Sequence, residues 1–361
     1  MSTIYDVAKS AGVSPKTVSR VLNGDAPVKK DTVAAVRKAI AELGYVPSSA
    51  ARAMRSNRSG LIGLITGAIS DNTITNASSG LPDLFIVQGI QKAIESSGKT
   101  LLIADTGGRT ERIPELMRTF EEHRVEGMIY VSNHHCQVSL PSVPNNIKLV
   151  LANCYDDQGT PSVLPHDFQG QKMLVADLIE KGHRRIGYLS LSEQIDATKL
   201  RTAGYIAAHK EAGLDVDHDL IIPAEIISVD KEADSQLLWD AIDRILKLAE
   251  PPTAICFGND RMAMRAYGIL RSRGLLLPED ISVAGYDNYR LITETLYPTL
   301  TSVDLSYGAI GIRATQMLLG LLDKTMTAPE TPILVSGPVH HGESVRNKPQ
   351  PITQISSLGR N

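Results

Sequence analysis

Residues 3–23 read TIYDVAKSAGVSPKTVSRVLN, two short amphipathic helices hinged at one glycine. Thr3 and Asp6 are spaced like a capping box, and Ile4, Val7, Ala8 and Ala11 recur at i, i+3, i+4 and i+7, one apolar helical stripe. Gly12 supplies the positive φ of a sharp helix-to-helix turn, and Val13 fills the angle between the helices. Ser14-Pro15 reads as the N-cap and first residue of a second helix, which Asn23-Gly24 ends. Val18, Val21 and Leu22 face the first helix, leaving Pro15, Lys16, Thr17, Ser19 and Arg20 outward. In a helix-turn-helix the second helix enters the major groove, its first residues meeting base edges while hydroxyls, amides and cations hold phosphates. Lys16 and Arg20 lead the DNA-contact candidates, with Thr3, Ser14, Pro15, Thr17, Ser19 and Asn23 beside them. A helical hairpin from some other core is the alternative reading.

Charge favours the first reading. Residues 1–60 hold ten Lys/Arg against four Asp/Glu, a net of +6; the remainder of the 37 and 40 is 27 against 36, a net of −9, which together give the chain's −3. A basic head on an acidic body matches the electrostatic footprint of phosphate binding at one end only. From Thr32 to Leu43, Val33, Val36, Ile40 and Leu43 share one face, and Gly44 and Pro47 end the run, so a third helix completes a small core. The stretch SSAARAMRSNRS (48–59) has no large apolar stripe and reads as a linker able to turn helical.

Beyond it, from about Leu61 to about Val345, short apolar runs alternate with helical patterns. The runs are LIGLIT, TLLIAD, GMIYVS, KLVLAN, RIGYLSL, TAICFG and ISVAGY; a helix carrying Val87, Ile90, Ala93 and Ile94 follows the first. Such alternation predicts parallel sheets covered by helices. A body of about 285 residues exceeds one α/β core, so two lobes are expected.

Ala11–Ser14 (AGVS), Thr17–Asn23 (TVSRVLN) and Gly44–Pro47 (GYVP) resemble the opening of the lactose-repressor/galactose-repressor family of bacterial transcription regulators. The resemblance covers nearly the whole chain. It implies an all-α helix-turn-helix headpiece (1–47), a hinge (48–59), and an α/β body (60–345) like periplasmic sugar-binding proteins, with two Rossmann-like lobes joined by three crossovers. The lobes are expected at about 60–162 plus 290–322, and about 163–289 plus 325–342. It further implies a homodimer reading a pseudo-palindromic operator in double-stranded DNA. The hinge helix would lie in the minor groove, where Met54 stands in place of the family's usual leucine wedge, flanked by Arg52, Arg55 and Arg58. A small-molecule effector, a sugar or a derivative, is expected in the interlobe cleft at the strands' C-terminal ends, as in other open parallel sheets.

Several polar residues after strand runs match positions the family uses for its effector. Arg201 in KLRTAGY matches an arginine that forks onto ligand oxygens; Asp287 in AGYDNY matches an acid that accepts from sugar hydroxyls. Asn259-Asp260 in FGNDRMA, Asn153 closing KLVLAN, and Asp71 complete the set. Asp260 reads equally as a cap for a helix starting at Arg261, and Asp287 as a turn residue. The chain departs from the family twice. His166-Asp167-Phe168 stands where many relatives carry Asp-Asn, which alters the hydrogen bonding expected at the cleft. After Ser70-Asp71, NTITNASSGL intervenes before Pro82, a loop read either as a ligand lid or as a neutral insertion.

Enzymatic chemistry has little support. The chain holds no G-x-G-x-x-G after a strand, no phosphate-binding G-x-x-x-x-G-K-[ST] and no G-x-S-x-G elbow, so no catalytic residue and no cofactor are expected. His134-His135-Cys136 and His340-His341 alternate faces on an extended chain, poor spacing for a metal. Cys136, Cys154 and Cys256, three without a C-x-x-C, read as thiols of a reducing cytoplasm. No signal peptide and no long apolar run argue for export or membrane insertion. Residues 346–361, without heptads, are expected to be disordered, which favours a dimer. The expected function is an effector-controlled repressor of a carbohydrate-utilisation operon. A regulator sensing a protein partner or nothing, and more remotely a sugar-modifying enzyme, are the alternatives.

Overall fold

The computed structural model describes residues 2–24, 26–46, 59–67, 69, 81–144, 146–225 and 231–347, of which 81–83 and 231–232 by their backbone alone. The hinge candidates Arg52, Met54, Arg55 and Arg58, the cleft candidate Asp71, the 72–80 loop and the tail from 348 lie outside the described residues. The chain forms two compact units, Met1–Gly60 and Leu61–Asn361.

The first unit holds α1 (Ile4–Ser10), α2 (Pro15–Asn23) and α3 (Lys30–Leu43). The capping box is present: Thr3 Oγ1 accepts from the Asp6 amide, and the Thr3 amide donates to Asp6 Oδ2 at 2.8 Å. Gly12 turns the chain at φ 63°, Ser14 Oγ accepts from the Thr17 amide at 3.2 Å, and Gly24 closes α2 in the left-handed region. Val7, Ala8, Val18, Val36 and Ala39 are buried, with Ile4, Val13, Val21, Leu22, Ile40 and Leu43 packed around them. Five buried side chains make a small core, in which caps worth about 1 kcal/mol each are a large share of stability. α3 starts two residues earlier than expected, with no side-chain cap on Lys29. Val33 stays half-buried outside the cluster, and Ala39 takes the inner seat.

The second unit runs β1 (Leu61–Thr66), α4 (Leu81–Glu95), β2 (Thr100–Asp105), α5 (Ile113–Glu122), β3 (Gly127–Gln137), β4 (Lys148–Tyr155), β5 (Ser162–Pro165), α6 (Asp167–Glu180), β6 (Ile186–Ser190) and α7 (Asp196–Glu211). It continues with β7 (Ile221–Pro223), α8 (Lys231–Leu246), β8 (Ala254–Phe257), α9 (Asp260–Ser272), β9 (Ser282–Asp287), α10 (Arg290–Thr293), β10 (Thr301–Asp304), α11 (Tyr307–Leu322), β11 (Ile333–Val335) and β12 (Val339–His340). Two six-stranded sheets result, in the orders β11-β5-β4-β3-β1-β2 and β12-β10-β9-β8-β6-β7. All pairings are parallel except β12 on β10. The interior strands of each sheet are buried on both faces, which explains their continuous apolar runs, while the outer strands stay partly exposed.

The three crossovers fall at 165–167, 304–307 and 335–339, which corrects the expected lobe borders. β5 belongs to the first sheet. β10, placed in lobe one by the sequence, is an interior strand of the second sheet, pairing Thr301–Asp304 with Ala284–Asp287. Its four residues TSVD offer no apolar run to mark it. β11, expected in lobe two, pairs with β5 in the first sheet. α11 does pack on lobe one, burying Ile310, Ala314, Met317 and Leu318 beside Ile86 and Ile90. In lobe two, α6 and α7 approach closely at Gly204, where any Cβ would strike the Phe168 carbonyl oxygen; this draws Arg201 down onto the start of α6. Among the described residues, no helix is long and apolar enough to cross a membrane.

Candidate nucleic-acid interface and effector cleft

On the headpiece, Lys16 and Arg20 lie four residues apart on the exposed side of α2, and neither has an ion pair among the described residues. Like charges at this spacing destabilise a helix by roughly 0.2–0.5 kcal/mol, a local cost that a polyanion would reverse. Ser14, Thr3 and Asn23 are exposed, and Pro15 and Thr17 half-buried. Their polar groups already have work within the fold: Ser14 Oγ lies 3.0 Å from Thr17 Oγ1, and Thr3 Oγ1 lies 2.8 Å from Asp6 Oδ2. The Thr3 amide first, and then the Thr3 hydroxyl, hold the Asp6 carboxyl below its usual range. Ser19 corrects an expectation: it is buried, and its hydroxyl accepts from Asn23 Nδ2 at 3.3 Å. Five residues after Ser14 the helix has turned back toward its core. Tyr5, which drew no attention in the sequence, is 71% exposed on α1, an aromatic in a module with few.

In the body, strand ends from both sheets surround a cavity of about 130 Å3, space on the order of ten water-sized probes. Arg201 is its centre. Nε donates to Asp167 Oδ1 at 2.6 Å, Nη1 donates to the Gly258 carbonyl at 2.5 Å, and the guanidinium stacks 3.7 Å from the Tyr286 ring centroid. Only Nη2 is left without a hydrogen-bond partner among the described residues. The other Asp167 oxygen lies 2.7 Å from His135 Nδ1. Burial opposes ionisation of Asp167, but Arg201 and His135 outweigh it and hold the carboxyl below its usual range.

Asp287 ends β9 at φ 112°. A carboxylate held there in the left-handed half of φ space is strained, and such strain collects at functional sites. Its side chain lines the cavity, keeps part of its surface open to it, and has no hydrogen-bond partner among the described residues. Burial drives its acidity well down, against the pull of Arg201, and Asp260 and Glu225 add repulsion. Asn153 lies within β4, two residues before its end, at φ 59°. Its Nδ2 donates to the Ser132 carbonyl at 2.9 Å, while its buried Oδ1 has no partner among the described residues.

Asn259 and Asp260 exchange the roles the sequence offered. Asn259 caps α9, Oδ1 accepting from the Met262 amide at 2.8 Å, and its Nδ2 donates to Glu225 Oε1 at 3.0 Å. Asp260 is the first helical residue and caps nothing. It accepts from Ser302 Oγ at 2.6 Å and from the Tyr289 amide at 2.7 Å, tying β10 and the loop after β9 together. Burial pushes it up to about 7 despite these bonds.

His166-Asp167-Phe168 requires a second correction. His166 caps α6 through Nδ1, accepting from the Gln169 amide at 3.3 Å. With Phe168 it lines a separate apolar pocket beside Tyr155, Leu200 and Leu334. Asp167 supports Arg201 from behind, so none of the three side chains faces the main cleft as a free contact.

Four polar cleft residues, Asn133, His134, His135 and Glu225, escaped the sequence. Register along β3 and β4 pairs Val131 with Ala152 and then Cys136 with Cys154, so β3 bulges and carries Asn133, His134 and His135 to the cavity wall. Strict alternation had set the two histidines on opposite faces; the bulge breaks it. Among the described residues, no group of three His, Cys, Asp or Glu is placed to hold a metal. Glu225 also lines the cleft, raised by burial and steadied by Asn259; its strand, IIP, is too short to announce the acid after it.

Residues 3–48 match the family described as bacterial regulatory proteins, lacI family, and residues 175–345 match the periplasmic binding protein-like domain. Over 322 residues the chain is 31% identical to the HTH-type transcriptional repressor PurR of Vibrio atlanticus, covering 88% of this chain and 91% of the relative. A LacI-family transcriptional regulator of Rhizobium etli is 32% identical, with a TM-score of 0.71 over 80% of this chain and 100% of that one. The lac repressor dimer bound to operator and the anti-inducer ONPF is 23% identical with a TM-score of 0.73, over 96% of this chain and 99% of that one, a likeness of fold. Headpiece and body agree with these relatives separately and in their order, and the chain belongs to the LacI family of helix-turn-helix transcriptional regulators.

Proposed function

We propose that the protein represses a carbohydrate-utilisation operon in the bacterial cytoplasm, as a homodimer on a pseudo-palindromic operator, and that a small sugar-like effector in the cleft controls it. The observation that carries the effector reading is the unpartnered Asp287 carboxylate beside the fixed Arg201 guanidinium. A ligand touching Asn153 from the first sheet and Asp287 and Arg201 from the second fastens the lobes at one closure angle. Differential binding of about 1–3 kcal/mol then changes operator affinity about 5- to 150-fold. Selection of genomic fragments by the purified protein, followed by footprinting with and without neutral sugars, tests this. Protection of a two-fold-related site, lifted by one sugar, is the expected result; absence of any sequence-selective footprint ends the proposal.

For the homodimer, support comes from Tyr297, 81% exposed, and Leu276, 64% exposed, which flank a groove lined by Leu275, Leu277 and Pro298. Exposed apolar patches of this kind mark association surfaces. Sedimentation should give a dimer for the parent and a monomer for Tyr297→Asp; an unchanged dimer places the interface elsewhere.

A further inference from the structure

The charge of the cleft narrows the effector's chemistry beyond the proposed function, on which this inference rests. Arg201, the cation at its centre, is already neutralised by Asp167 at 2.6 Å. Arg261, the other arginine on the wall, lies close enough to Glu225 to stabilise its charge. Asp260 and Asp287 have no cation of their own among the described residues: Asp260 is held by a hydroxyl and an amide, and Asp287 by no hydrogen bond.

Helix N-termini are the other usual resource for an anion; of those that begin around this cleft, α11 has neither an acid in its first turn nor a side-chain cap, and three are blocked. α6, α7 and α9 each start on an aspartate: Asp167, Asp196 and Asp260. Each acid occupies the first turn, where it meets the positive end of its own helix. The N-terminal amides of α9 are further closed by the Asn259 cap. The valences left open on the cleft wall among the described residues include several acceptors, namely both Asp287 oxygens, the buried Asn153 Oδ1 and the second oxygen of Glu225, beside the Tyr289 hydroxyl and His135 Nε2, which can donate or accept. Arg201 Nη2 is the one donor of the arginine that stays open.

We infer that the effector is rich in hydrogen-bond donors and carries no negative charge, so that the cleft discriminates against phosphorylated and carboxylated compounds. A hydroxyl or ammonium hydrogen gives Asp287 the partner it lacks. Burial, with repulsion from Asp260 and Glu225, already keeps the proton of Asp287 on; an anionic group in the same place adds to that repulsion in an enclosed site, a disadvantage on the order of 10-fold or more in affinity.

The test uses the full-length protein and sets of compounds sharing one skeleton: glucose, glucosamine, gluconate and glucose 6-phosphate; galactose, galactosamine and galacturonate; adenine and adenosine monophosphate. Thermal shifts are recorded for the parent and for Asp287→Asn, a near-isosteric change. Stabilisation of the parent is expected only from neutral or amine-bearing members, and the variant should lose it. Independently of any ligand, removing an enclosed, unpartnered carboxyl should raise the variant's melting temperature by about 2–4 °C. A carboxylate or phosphate that stabilises more than its neutral parent overturns the inference. If every compound is silent, the ligand-free comparison decides, and an unchanged or lowered melting temperature in Asp287→Asn overturns it. Operator binding by the same samples separates the two levels. Failure to bind DNA defeats the functional reading, whereas intact DNA binding with an anionic ligand defeats only the charge selectivity.

Discussion

Headpiece and cleft carry function in opposite ways. In the headpiece, the groove candidates Lys16 and Arg20 stand outside a five-residue core and hold nothing together, so function and stability are separable residue by residue. In the cleft, the polar groups are structural members as well: Asp167 fixes Arg201, Asn259 fixes Glu225, and Asp260 joins β10 to the loop after β9. A site built from buried charges must solve its own electrostatics before it meets a ligand, whereas an exposed helix face leaves that to water. Breaking the same kind of group in the two places should therefore have very different costs.

Asp167→Ala tests the contrast most severely. It strips Arg201 of its counter-ion in a buried setting, and loss of one partner from such a pair costs about 3–5 kcal/mol. Denaturant unfolding followed through Trp239, the single tryptophan, reads the body directly. A loss below about 1 kcal/mol would mean that the Gly258 carbonyl and the Tyr286 ring alone suffice to hold Arg201.

The strained acids come next. Asp287 lies well above the ordinary carboxylate range in the folded protein and Asp260 is raised to about 7, burial leading in both cases. A folded-state pKa above the unfolded one means that the folded form holds the extra proton. The associated stability is complete below about pH 4 and is lost as pH rises through the folded value, at roughly 1.4 kcal/mol for each tenfold difference in proton affinity between the folded and unfolded forms. Asp167 nearby moves the other way, and His209 is depressed by burial, so the parent's total profile mixes signs. The difference between Asp287→Asn and the parent isolates the effect: the variant's advantage should grow from pH 5 to pH 8. A pH-independent difference would show that Asp287 ionises freely, with water as its partner.

In the headpiece, Gly12→Ala probes a backbone requirement alone. An added Cβ would meet nothing within 4 Å, but φ is +63°, so the cost is that of the left-handed region, about 1–2 kcal/mol. Circular-dichroism melting of the headpiece transition should show it. No change would mean that the turn relaxes without disturbing the seat of Val13.

The same contrast explains what could be read in advance. Thr3–Asp6, Gly12, Ser14-Pro15 and Gly24 act over three or four residues, so their spacing is visible in the chain and the structure reproduces it. Seven strands were visible because their runs are continuously apolar; β8 has only four residues, but AICF is apolar throughout, and β2 shows its run although it stays partly exposed. β5, β7, β10, β11 and β12 have two to four residues each, too few for any period, and the missed β10 displaced one lobe border by a whole strand. The cleft was legible where a polar residue closes an apolar run or lies just past it, as at Asn153, Asp287 and Asn259, and at Arg201 through the family resemblance. Glu225 followed an invisible strand. His134 and His135 depended on a bulge, a property of pairing with β4 that the local pattern contradicts. Asp167 looked like a ligand contact because adjacency to a strand end says nothing about direction; Arg201, 34 residues later, turned it inward.

The smallest effect on stability belongs to Lys16→Ala and Arg20→Ala, within about 0.5 kcal/mol as for most exposed substitutions, or slightly favourable because each relieves the repulsion of the other. Their effect on DNA should nonetheless be large, and its form distinguishes two roles. A cation on a phosphate weakens all sequences alike and lowers the slope of log K against log salt by about 1. A cation reading a base edge costs about 1–3 kcal/mol on the preferred site and relaxes the choice of base there. Measuring both variants against selected and scrambled DNA over a salt series separates these outcomes for each residue. If neither the slope nor the sequence preference moves, α2 does not present these side chains to DNA. The separability of function from stability claimed for the headpiece would then have lost its best example, and exposed Tyr5 on α1 becomes the residue to mutate.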